Sequence, residues 1–236
     1  HSDHIDGLGE IATLRWAAGN HTSPLPFYGP EGIDDVVNGF NAAYVRDAVY
    51  RNDHHGDMAT PLSGAGMRAI STPSPANGEL RVVFAGDGLK VEMLRVAHAP
   101  IDPAVAYLFS YKGRTILVSG DTNKSENLQK FAHNVDLLVH EALAPHLLVA
   151  MKNAALATND PFRAKIFGDV LDYHTSPTEA AEIARDAKVG HLLYYHVVPP
   201  LPAPGWEALW LQGSDDIFTE YTLGRDGTST SLPAAS

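Results

Sequence analysis

Histidines and carboxylates recur along this chain in groups that suit a metal site. His1-Ser2-Asp3-His4 puts three potential ligands within four residues. Adjacent residues of so tight a loop can point at two neighbouring cations, His offering a neutral nitrogen and Asp an oxygen, a set that suits zinc at about 2 Å. Asp121, in Ser119-Gly120-Asp121-Thr122, can give one oxygen to each of two metals, and Gly120 allows the close backbone approach this needs. His98, His140 and His196 each follow an apolar run. A lone histidine is more often an ordinary core or surface residue than a ligand. Here that reading would have to hold separately for His1, His4, His98, Asp121 and His196, so a shared site accounts for them better.

The elements that must position these residues follow from the apolar pattern. Residues 5–18 read as a helix after the His/Asp cluster, 24–28 as a short strand ended by Gly29-Pro30, and 33–44 as an amphipathic helix. From 47 to 78 the chain is polar, rich in Gly, Pro and Ser and without period, and is expected to be a surface excursion. Strands are expected over 80–84 and 89–96, and a hairpin over 105–111 and 115–119. Further strands are expected over 135–139, 192–195 and 218–223. Residues 144–172 carry two helical patterns broken near Asn159-Asp160-Pro161, a helical insertion. Ser176-Pro177-Thr178-Glu179 has the form of a capping box opening another helix. Four of the strands thus end on His98, Asp121, His140 or His196. Polar strand ends converging on one rim of a sheet are a common way for layered α/β proteins to build a metal site. No repeat or linker divides the chain, so 1–236 is expected to form a single domain.

Composition narrows the function classes. Apolar residues make up 44% of the 236, enough for a sizeable core, and the longest apolar runs are too short to span a bilayer, so no membrane partner is expected. With no cysteine there is no disulfide framework and no Cys-ligated zinc or iron–sulfur site, although this leaves the compartment open. Seventeen basic against twenty-eight acidic residues give a charge of −11, which argues against a protein that simply coats nucleic acid. A nuclease with local, metal-assisted phosphate contacts remains compatible with that charge. Twelve histidines in a cysteine-free chain favour nitrogen-and-carboxylate ligation.

His1-Ser2-Asp3-His4 resembles the last four residues of the HxHxDH signature of the metallo-β-lactamase superfamily. Val96-Ala97-His98 resembles its third-motif His, Ser119-Gly120-Asp121-Thr122 its bridging Asp, and Tyr195-His196 its final His. The order and spacing agree along nearly the whole chain. The resemblance implies an α/β, four-layer αβ/βα sandwich of two mixed β-sheets, with the opening strands and the first His of the signature expected upstream of this chain. A chain so truncated is expected to aggregate, to pair with a second copy as a homodimer, or to be accompanied by the missing part. The resemblance further implies that His1, His98 and Asp121 hold one zinc, and that Asp3, His4, Asp121 and His196 hold the other. Manganese or iron can take the same set.

Two further pieces point within the superfamily. His140-Glu141-Ala142 resembles the His-Glu-Ala-Thr motif of the ribonuclease Z branch, with Leu143 in place of Thr, and His174-Thr175-Ser176 resembles its His-Ser/Thr motif. The stretch 25–33 is also similar to that branch, while the gap between Glu141 and His174 is longer than in its compact members. A related group of ribonuclease Z-like β-lactam hydrolases has a long insertion there. The mechanism implied is attack by a metal-bridging hydroxide on a phosphodiester, with Asp3, Glu141 and His174 as catalytic residues. His174, held by Glu141, would protonate the leaving alkoxide. The substrate expected is a tRNA precursor cleaved at its 3′ end or a small phosphodiester. The alternative is a β-lactam, lactone or sulfate-ester hydrolase on the same metal platform. Lys152, Arg163 and Lys165 could meet a phosphate but read equally well as a solvated helix face. Trp206 and Trp210 read as core, and His54-His55 as solvent-exposed.

Overall fold

The runs Leu137-Leu138-Val139 and Leu192-Leu193 lie side by side inside a sheet, paired in parallel from Leu138↔Leu192 onward. This computed structural model describes residues 1–235. The chain divides into two compact units, His1–Pro73 and Ser74–Ser236.

The first unit holds a 3₁₀ turn (Ser2–His4), α1 (Leu8–Gly19), β1 (Leu25–Gly29), α2 (Ile33–His55) and β2 (Met67–Ser71). β1 and β2 pair in parallel, and Leu8, Ala12, Ile33, Val37 and Met67 form the core beneath them. Two readings of the sequence change here. The second helix does not stop at Tyr44 but runs to His55, and β2 lies inside the stretch 47–78 that carries no period. The added turns of α2 are largely polar and solvated, so no apolar stripe marks them. They are held by an Arg51–Asp47 pair one turn apart (2.7 Å) and by the Asn52 side chain donating to the Thr60 carbonyl (2.9 Å). β2 exists because β1, some forty residues earlier, supplies its hydrogen-bond partners, and local propensity cannot report that.

The second unit is built on a seven-stranded sheet: β3 (Arg81–Gly86), β4 (Leu89–Arg95), β5 (Val105–Tyr111), β6 (Arg114–Val118), β7 (Leu137–Leu143), β8 (Leu192–Val198) and β9 (Tyr221–Leu223), in that spatial order. Pairings from β3 to β6 are antiparallel and those from β6 to β9 parallel. The parallel strands are linked through helices: α3 (Glu126–Phe131) before β7, then α4 (Pro145–Ala157), α5 (Pro161–Asp169) and α6 (Pro177–Asp186) before β8, and α7 (Glu207–Trp210) before β9. Parallel pairing requires such crossovers.

The α4–α5 break falls where the sequence suggests. Asn159 is left-handed (φ +57°), the Asp160 side chain accepts from Arg163 N (3.0 Å), and Pro161 opens α5. The capping box also forms, with Glu179 N donating to Ser176 Oγ (3.3 Å) and Ser176 N to Glu179 Oε2 (2.9 Å). Such a cap contributes about 1 kcal/mol. Ala180, Ala181 and Ala184 bury the small-residue face of α6, and Leu94, Leu117, Leu138, Ile183, Leu192, Tyr194 and Trp210 fill the core. Trp210 is buried and its Nε1–H donates to the Val198 carbonyl (3.0 Å), whereas Trp206 is exposed. Lys165 pairs with Asp169 and Arg163 with Asp160 on the solvated surface of α5. No helix among the described residues is long and apolar enough to cross a membrane.

Candidate metal centre

Asp121 follows β6 by three residues, in a turn that only glycine can make. Gly120 has φ +62°, and a Cβ there would meet the Val105 carbonyl oxygen at 2.6 Å. The turn is pinned on one side by Ser119 N donating to the Val139 carbonyl (2.9 Å), and Ser119 Oγ accepts from Glu141 N (3.0 Å). On the other side, Thr122 Oγ1 accepts from Ala97 N (3.1 Å), which ties the turn to the loop that carries His98.

The two oxygens of Asp121 face different imidazoles. Oδ2 lies 3.7 Å from His98 Nε2, and Oδ1 lies 3.6 Å from His196 Nδ1. These spacings are too long for good hydrogen bonds and suit pairs of donors around shared cations. His98 Nδ1–H donates to the Tyr173 carbonyl (2.8 Å), which leaves the Nε2 lone pair directed toward Asp121. A metal-ligating histidine is commonly oriented in this way.

His196 reaches the site through a fault in the sheet. Glu141 pairs with Tyr195 and the next residue, Ala142, with Val197, so His196 is the extra residue of a β-bulge. Its φ is +46°, a left-handed conformation that costs a non-glycine residue about 1–3 kcal/mol. A bulge re-aims a side chain without ending the strand. His196 therefore lies within β8, and His140 and Glu141 lie within β7, whereas the apolar pattern has these strands stop at their polar residues. Backbone pairing continues past them because their side chains find partners inside the protein.

Glu141 is fully buried. Its Oε1 accepts from Thr122 N, Thr175 N and His174 Nδ1, each at 3.1 Å, and its Oε2 has no hydrogen-bond partner among the described residues. His174 stacks beside His196, ring centres 5.8 Å apart, and lies 5.4 Å from the ring of His98. Burial pushes His140 toward its neutral form, and its Nδ1–H donates to the Glu141 carbonyl (2.7 Å). Burial, reinforced by the negative charges of Asp121 and Glu141, pushes the Tyr195 phenol up to about 12, so it stays protonated beside the site.

The second unit thus brings together five of the residues singled out: His98, Asp121, Glu141, His174 and His196. Potential ligand atoms of Asp121, Glu141, His174 and His196 lie within 4.8 Å of one another. His1, Asp3 and His4 belong to the first unit, where they are exposed in the 3₁₀ turn, His4 Nε2 3.5 Å from Asp3 Oδ2. The nitrogen-and-carboxylate set, with a carboxylate turned toward two oriented imidazoles, fits zinc. His54 and His55 are exposed on the last turn of α2, edge to face with ring centres 4.6 Å apart, and are not among the residues gathered here.

Sequence reasoning missed Tyr173 and Asn123. Both act at the return of the helical insertion: the Tyr173 carbonyl orients His98, and Asn123 Nδ2 donates to the Asp172 carbonyl (2.9 Å). A backbone carbonyl carries no residue-type signal. Thr122 and Thr175 stand within the recognised motifs, but their contribution, two backbone N–H groups on one Glu141 oxygen, is likewise invisible in a side-chain pattern.

The family described as β-lactamase superfamily domain matches residues 1–197. A ribonuclease Z of Mycobacterium sp. (strain KMS) is 32% identical over 228 residues, 96% of this chain and 73% of that protein. Among solved structures, the metallo-β-lactamase fold protein YhfI from Bacillus subtilis superimposes with a TM-score of 0.56 at 18% identity, over 94% of this chain and 69% of that one. The short form of human tRNase Z gives 0.54 at 20% identity, over 84% and 69%. The chain belongs to the metallo-β-lactamase superfamily of metal-dependent hydrolases, in its ribonuclease Z-like branch.

Proposed function

We propose that this protein is a dinuclear zinc phosphodiesterase of the ribonuclease Z type that cleaves tRNA precursors at their 3′ ends. The observation that carries the proposal is the hydrogen-bonded Glu141–His174 pair lying beside Asp121, whose two oxygens face different histidines. A relative at 32% identity that bears the name ribonuclease Z supports the choice of substrate. In this reading His1, His98 and Asp121 hold one zinc, and Asp3, His4, Asp121 and His196 hold the other. Bound zinc supplies Lewis-acid charge and lowers the pKa of water toward neutrality.

The remaining work falls to side chains. Asp121 spans the two ligand groups, and the Tyr173 carbonyl keeps His98 in the tautomer that can ligate. Glu141, anchored by two backbone N–H groups, holds His174 through Nδ1. An alkoxide leaving from a phosphodiester needs a proton, and His174 is the group to deliver it. Asp3 acts in catalysis as well as in binding metal. Apolar side chains exposed on α1 and α2, Leu14, Val45 and Tyr50 among them, favour pairing of two copies, which light scattering would report as a dimer mass.

The test is a side-by-side assay of a tRNA precursor, bis-p-nitrophenyl phosphate and a chromogenic cephalosporin, with metal analysis of the same preparation. Cleavage of the first two, none of the third and two zinc ions per chain is the expected result. Turnover of the cephalosporin alone would move the assignment to the β-lactam hydrolase reading.

A further inference from the structure

Beside His98, the second unit carries a long polar trough that the chemistry above does not use. Its first part, a cavity of about 650 Å³, runs from His98 along the loop Ala99–Asp102 to Lys124 and Lys130. Its second part, about 760 Å³, continues from the same two lysines over α3 to His133 and Asp186. The two cavities share Lys124, Glu126 and Lys130 as walls, so one groove leads away from a proposed metal ligand. Amide side chains of Asn77, Asn127 and Gln129 also line it.

The wall is built rather than loose. Gly78 N donates to Asn127 Oδ1 (2.8 Å), Lys130 Nζ donates to the Gly78 carbonyl (3.0 Å), and Asn127 Nδ2 donates to the Arg95 carbonyl (2.6 Å). The cations differ in how they are neutralised. Arg95 is paired with Asp102 and also bonds Ser74 Oγ, so its charge is committed. Lys124 pairs with Glu182 at the surface, both side chains more than a third exposed, an arrangement that contributes little and exchanges readily for a phosphate. Lys130 Nζ is held by an uncharged carbonyl rather than by a carboxylate. Glu126, Asp102 and Asp186 also stand in the walls of the groove, so the cations are local contact points rather than a basic stripe. In a chain of net charge −11, two ammonium groups flanked by amides, in a groove with His98 in its wall, match a segmented anion with hydrogen-bonding groups between its charges.

We propose that this trough seats the single-stranded part of the RNA next to the scissile phosphate, with Lys130 and Lys124 contacting its backbone. The proposal rests on the ribonuclease reading above. Lys130→Ala and Lys124→Ala should each raise KM for a tRNA precursor about threefold to tenfold with little change in kcat. Each should also lower the slope of log affinity against log salt by about 0.7. Turnover of bis-p-nitrophenyl phosphate, too short to enter the trough, should stay at the wild-type level. Because Lys130 also steadies Gly78, Lys124→Ala is the cleaner variant, and it must act in the same direction. Unchanged KM and salt slope in both variants would overturn the trough while leaving the nuclease in place. If the wild-type protein cleaves no RNA at all, fluorescence anisotropy with a labelled oligouridylate separates the two ideas. Binding lost in the double variant keeps the trough and removes the nuclease, and equal binding by wild type and variant removes the trough.

Discussion

The two halves of the seven-stranded sheet are made by different means and do different work. From β3 to β6 the strands are joined antiparallel, and two of the joints are two-residue turns. Asp87-Gly88 and Lys112-Gly113 both have positive φ at each position (50° and 79°, 48° and 74°), the pairing that matches the twist of a tight hairpin. Register in this half is set by neighbours in sequence. From β6 to β9 every pairing is parallel and every link is a crossover of many residues. Asp121, Glu141 and His196 come from this half, at or near the carboxyl ends of adjacent parallel strands, where α/β proteins place their ligands. The hairpin half supplies rigid support, and the crossover half gathers reactive groups that are far apart in sequence.

The comparison is tested most severely by Asp121→Ala. One residue of the crossover half faces two histidines, so its loss should remove most bound zinc and lower turnover about 10³-fold or more, read by metal analysis and rates on the same preparation. Retained zinc with full activity would mean that the ligands lie elsewhere. His174→Ala comes next. It should lower turnover of a ribonucleotide diester about 10²-fold and affect p-nitrophenyl esters far less, because their leaving group needs little protonation. Zinc content should hold. Zinc loss would make His174 a ligand, a role that its closeness to Asp121 and His196 permits.

Two glycines sharpen the contrast. Gly120→Ala, in the turn before Asp121, would drive a Cβ against the Val105 carbonyl oxygen and displace the carboxylate, with an expected loss of some tens-fold in rate. Glu141→Gln should cost about tenfold on the ribonucleotide substrate, since it keeps a carbonyl for the two backbone N–H groups but removes the charged partner of His174. Gly88→Ala, in a hairpin turn, has room for its Cβ and a φ of +79°. It should lower stability by about 1 kcal/mol in denaturant unfolding and leave turnover per folded molecule unchanged. A rate loss from Gly88→Ala as large as that from Gly120→Ala would erase the division of labour.

Local chemistry was readable where a few consecutive residues carry their own instructions. The break at Asn159-Asp160-Pro161, the cap at Ser176 and Glu179, and the hairpin ending in Tyr111-Lys112-Gly113 all depend on side chains reaching their own backbone or on φ preferences. The residue types at His98, Asp121, Glu141, His174 and His196 are likewise statements about chemistry, legible before any fold is known. Other features needed the folded chain. The polar turns of α2 and the strand β2 are stabilised by partners that no window of sequence contains. The bulge at His196 arises because β8 must keep pairing with β7 on both sides of a residue turned toward Asp121. Glu141 draws its donors from residues 19 to 34 positions away, and His98 takes its tautomer from a carbonyl 75 positions on. Sequence by itself determined which groups could ligate and transfer protons, because that is set by side-chain type. Tertiary structure decided which atom of each group faces which neighbour, because that depends on backbone hydrogen bonds between distant segments, and any side chain can sit above a backbone donor or acceptor.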